Sequence, residues 1–196
     1  MFKELITFGN LSSLLLASRS KFLFQNERLQ KAVTLYEEAN ELSSQNKLED
    51  ACYVYMQGIF TGRNAVRDLV ENQDSKNDMD DPQLALEWIV ASYLSRSRNH
   101  IELGDWNMAR SDAWAACSYS QNQNLEALKC MLTVCQQTED LFNELQTLKL
   151  ILQLLVSLGD DDEDQGDFSR NRINVETVEK QIMDVESKLE EKFNNR

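Results

Sequence analysis

The sequence predicts an all-α chain built from consecutive helix pairs. Three observations lead there. Proline occurs once and glycine six times, too few for the turns that a strand-rich fold of this length needs. Apolar residues recur at three- and four-residue steps through most of the chain, the period of a helix face. The stretch Tyr93–Ser118 reads as two helices joined by a tight turn at Leu103-Gly104-Asp105-Trp106. Gly104 supplies the left-handed residue that ends the first helix, and Asp105 can cap the second. Trp106, Ala109, Ala113 and Ala116 then share one face, and an alanine face means that another helix approaches closely.

With 196 residues, 42% of them hydrophobic and 27% charged, the chain is long enough for one globular domain with a sizeable core, or for one domain and a tail. The net charge is −13. Such a surface repels nucleic acid and anionic membranes, which leaves proteins as the expected partners. Cys52, Cys117, Cys130 and Cys135 sit inside helical runs without a CxxC pair, and there is one histidine. No metal site is expected, and buried reduced thiols point to the cytoplasm. No run is apolar for long enough to span a membrane. Residues 1–28 read as an amphipathic segment that packs on the domain; Glu4, Gly9, Asn10, Ser12 and Ser13 interrupt what would otherwise resemble a secretion signal.

From there the helices follow in order. Leu29, Ala32, Val33, Leu35, Tyr36, Ala39 and Leu42 form a broad stripe over 29–44, and Gln45-Asn46-Lys47 makes the turn. A second helix starts near Leu48, turns Ala51, Cys52, Tyr55, Gly58 and Ile59 inward and continues to Val70. The polar insert 71–81 is solvated. Asp81-Pro82 opens a third helix, with Pro82 in the first turn where its missing amide costs nothing. That helix is apolar nearly all round, hence central. After the Gly104 turn and the Trp106 helix, 125–135 and 141–158 form a further pair. Residues 159–172 are an acidic loop that fits no calcium-loop register. Val175, Val178, Ile182, Val185, Leu189 and Phe193 mark a closing helix over 173–196, with Asn174 as its cap.

These pairs over 29–158 resemble the tetratricopeptide repeat (TPR) of about 34 residues. In the first pair Leu35, Ala39, Leu42, Ala51 and Tyr55 take the large, small, large, small and aromatic places. In the second, Tyr93, Ser97, His100, Ala109 and Ala113 take the same places, with Gly104-Asp105-Trp106 at the turn between helices. Glu38, Arg63, Arg96 and Gln121 depart from the pattern, and only spacing supports a third pair. The resemblance implies a TPR-like solenoid of about three helix pairs with a C-terminal closing helix. The long second helix and the insert after it look like those of co-chaperone domains.

What such a domain does is bind a peptide or partner helix in a concave groove lined by the first helices. In the co-chaperones, basic and amide side chains hold the C-terminal carboxylate of Hsp70 or Hsp90. Of the five clamp places only Asn40 and Lys129 match; Tyr36, Ser95 and Leu125 stand at the others. Arg96 and Arg98 could supply basic charge nearby. The resemblance therefore implies a protein-interaction adaptor with Tyr36, Asn40, Ser95, Arg96, Asn99 and Lys129 in its groove, and with a chaperone tail as one possible ligand. The alternative is a subunit of a larger assembly that docks through its terminal helices. The sequence carries no enzyme signature and implies no cofactor.

Overall fold

A computed structural model of the chain describes residues 26–71, 82–159 and 168–194. All secondary structure among them is helical: α1 Glu27–Ser44, α2 Leu48–Glu71, α3 Pro82–Glu102, α4 Trp106–Tyr119, α5 Leu125–Gln137, α6 Leu141–Gly159 and α7 Phe168–Asn194. The expected N-terminal amphipathic helix, the insert after Glu71 and the acidic run 160–167 lie outside the described residues. No described helix is long and apolar enough to cross a membrane. The chain divides into two compact units at Asp105/Trp106.

In the first unit α1, α2 and α3 all pack on one another. Asn26 caps α1, its side chain accepting from the amides of Arg28 and Leu29 at 3.0 and 3.1 Å. Asn46 at φ 59° reverses the chain after α1, with the Lys47 amide reaching back to the Leu42 carbonyl. Leu29, Val33, Ala65, Ala85 and Trp88 form one buried cluster. Ala39, Ala51 and Tyr55 form another, and Tyr36 packs against both. Gly62 permits a close approach of the three helices: a Cβ there would lie 3.1 Å from Ile89 Cγ1 and 3.7 Å from Ala32 Cβ. At the end of α3, Gly104 at φ 73° closes the turn, with the Asp105 amide donating to the His100 carbonyl.

In the second unit each helix packs on the next in sequence. The alanine face of α4 is fully buried, as its small residues require. Asn124 caps α5 through the Ala127 amide. Leu145, Leu148, Ile151 and Leu155 of α6 are buried, as are Val178 and Val185 of α7. Helix α6 packs on both α5 and α7, and these apolar stripes are buried among the three helices. The helix α7 begins at Phe168, ahead of the expected cap Asn174. The residues before Val175 carry no apolar period, so periodicity alone places the start too late.

Candidate functional site

Five of the six groove residues expected from the sequence fall in the first unit, and three of them meet around Tyr55. The Tyr55 hydroxyl donates to Asn40 Oδ1, and the Ser95 side chain hydrogen-bonds to Tyr55 as well. The Tyr36 ring lies 5.9 Å from that of Tyr55 and packs edge-on against Trp88 at 5.2 Å. Burial pushes the Tyr55 hydroxyl well above its ordinary pKa, so it stays a neutral donor at every physiological pH. Asn99 is buried, and its Oδ1 accepts from the Ser43 hydroxyl at 2.9 Å. Arg96 places its guanidinium 5.6 Å from the centre of the Tyr93 ring, a cation–π contact. Lys129 belongs to the second unit, where it pairs with Glu126 at 3.0 Å. Tyr55 was legible in the sequence as an inward aromatic; the meeting of three groove candidates around it was not.

The second unit carries a groove of about 720 Å³ lined by α4, α5 and α6. One face of α4 forms a wall: Asn107, Ser111, Trp114 and Ser118 recur at helical steps opposite the buried alanines. Trp114 is 65% exposed, a large aromatic left in water. The side-chain amides of Asn107, Asn122 and Gln146 also border the groove and have no hydrogen-bond partner among the described residues. Below them Cys117, Leu128, Cys135 and Leu150 supply apolar lining.

Charge is distributed unevenly. The chain holds 33 acidic residues, yet among the described residues none lines this groove. Its single charged lining residue, Arg110, reaches the α5–α6 turn, where Nη2 donates to Thr138 Oγ1 at 2.6 Å and Nη1 lies 3.3 Å from Asp140 Oδ2. Asp140 in turn caps α6: Asn143 Nδ2 donates to it at 2.8 Å and the Asn143 amide at 3.3 Å. Those bonds, led by the Asn143 side chain, hold the Asp140 carboxyl below its usual pKa. The thiols lie at the other extreme. Burial pushes Cys117 up to about 12 and raises Cys135, so both are protonated at neutral pH and neither is a nucleophile there. The groove offers amides, hydroxyls and one aromatic plane, which is equipment for holding a chain of peptide groups. The sequence signal for it is the polar-and-tryptophan face of α4, a second helix of its pair and so outside a groove lined by first helices. No family model matches this chain, and no curated protein does.

Proposed function

We propose that the chain is a protein-interaction adaptor with a TPR-like arrangement of helix pairs, holding an extended peptide or partner helix in a groove. The observation that carries this reading is the α4–α6 groove, where exposed Trp114 stands beside three unpaired side-chain amides and no carboxylate. An extended peptide presents carbonyls and amides along its length. Asn107, Asn122 and Gln146 can each donate and accept, and Trp114 can cover an apolar side chain. The residues expected from the sequence, Tyr36, Asn40, Ser95, Arg96 and Asn99 of the first unit and Lys129 of the second, are the competing candidates for the same activity.

The test is affinity capture from lysate with the intact chain, the Trp114→Ala variant and an Arg96→Ala/Lys129→Ala variant. Loss of captured proteins with Trp114→Ala alone assigns the activity to the α4–α6 groove. Loss with the double variant alone assigns it to the expected set. Capture unchanged in both variants would sink the adaptor reading at either place. Hsp70 or Hsp90 among the captured proteins would make the co-chaperone version of the reading the right one.

The second reading, a subunit of an assembly, is favoured by a separate observation. Helix α2 leaves Tyr53, Met56 and Phe60 exposed on one side, and large apolar residues grouped in that way mark a contact surface.

A further inference from the structure

The exposed side of α2 continues beyond those three residues. Tyr53, Met56, Phe60, Arg63, Arg67 and Val70 are all exposed and follow one another at alternating steps of three and four. That alternation is the a/d spacing of a coiled-coil seam. It runs opposite the buried positions Ala51, Tyr55, Gly58, Gly62 and Ala65, by which α2 packs into its own unit. Tyr53 is 59% exposed and Phe60 69%. Among the described residues Arg63 and Arg67 make no ion pair. The seam is therefore apolar in its first half and basic in its second, on a chain whose net charge is −13.

A second seam with the same spacing lies on α7. Glu176, Glu179, Met183, Glu186, Glu190 and Phe193 also alternate at three and four. Met183 is 63% exposed, on the side away from buried Val178 and Val185, and Phe193 is 72% exposed. Laid parallel and in register, the two seams match over their last four positions. Phe60 meets Met183, Arg63 meets Glu186, Arg67 meets Glu190 and Val70 meets Phe193. The apolar pairs flank the two ion pairs, which places the charges where they are partly shielded from water. Glu186 already has Lys149 at 3.1 Å in an exposed pair, and a carboxylate can accept from both cations.

We propose that the α2 seam of one copy binds the α7 seam of a second copy in parallel, so that the chain self-associates, with a twofold axis closing two such contacts into a dimer. Charge selects this occupant. The segment preceding Asn26 is the other apolar candidate, but Arg28 is ion-paired with Asp68 at the basic end of the seam. The inference is independent of the groove reading, because no lining residue of the groove belongs to either seam.

The experiment is mass measurement by size exclusion with light scattering, loading the full chain at about 100 µM because a contact of about one and a half heptads is weak. The expected mass is twice that of the 22.7 kDa chain. Phe60→Glu and the pair Arg63→Glu/Arg67→Glu should each return the monomer, weakening association by about tenfold or more. These positions are exposed, so circular dichroism should show an unchanged helix content. Adding Glu186→Arg/Glu190→Arg to the arginine variant should restore the dimer. A wild-type monomer overturns the proposal. So does an oligomer that ignores Phe60→Glu, or charge reversal without rescue.

Discussion

Glu139 sits at φ 53° in the turn between α5 and α6, with the Asp140 amide reaching back to the Cys135 carbonyl. This is the hydrogen-bond pattern that Gly104 makes after α3, but a side chain at positive φ carries a steric cost that glycine avoids. Glu139→Gly should therefore raise stability by about 0.5–1 kcal/mol, read as a higher urea midpoint at unchanged m. The glycines of α2 give a contrasting pair. A Cβ on Gly58 would meet Leu35 Cβ at 3.5 Å, an ordinary contact, whereas on Gly62 it would meet Ile89 at 3.1 Å. Gly58→Ala should gain about 0.5–1 kcal/mol from helix propensity, and Gly62→Ala should be the less stable of the two. Equal midpoints would mean that Ile89 yields without cost. The chemistry of the thiols is also decided at this scale. With Cys117 at about 12, and all four cysteines free and buried, a thiol reagent at pH 8 should label the native chain slowly and the urea-unfolded chain at four sites.

At the scale of elements, Arg110 and Asp140 join α4 to the turn that starts α6. The folded pKa of Asp140 is depressed, led by its bond from the Asn143 side chain. Its stabilising contribution is therefore full above the unfolded carboxyl pKa of about 3.9 and is lost as pH falls through the lower folded value. Asp140→Ala should cost about 1 kcal/mol at pH 7, typical of a lost N-cap, and the difference from wild type should shrink as pH falls below about 4. A difference that persisted at low pH would assign the loss to packing. The helices themselves were largely legible in the sequence. Amphipathic periods, Pro82 and the Gly104 turn mark most boundaries within a few residues, because these signals are local. The start of α7 was hidden, since its first residues extend the helix without an apolar face of their own. The α4–α6 groove was hidden for another reason. Asn107, Ser111, Trp114 and Ser118 are legible as a helix face, but the far side of a groove comes from α6, and no local pattern states which faces meet.

For the whole molecule, composition predicted the all-α class, and period predicted the helix pairs. The expected continuous span 29–158 contains the boundary between the two compact units, at the turn that the sequence read as the middle of one helix pair. A glycine turn looks the same whether the helices it joins belong to one unit or to two, since the difference lies in contacts far apart in sequence. Net charge is the property that composition gives without such contacts, and it makes a prediction about any ligand of the α4–α6 groove. A charge of −13 acts over distances comparable to the screening length, about 8 Å at physiological salt, and so governs encounter. Among the described residues the groove lining has no carboxylate and one cation that is already paired, so it contributes little to the charge dependence of the bound state. A captured peptide of basic sequence should therefore associate more slowly as salt is raised, and one of acidic sequence faster, while both dissociate at nearly constant rates. Stopped-flow mixing that follows the fluorescence of Trp114, in variants with Trp88 and Trp106 replaced by phenylalanine, reads both rates. A dissociation rate that rises steeply with salt would place the bound peptide against the acidic surface and outside this groove.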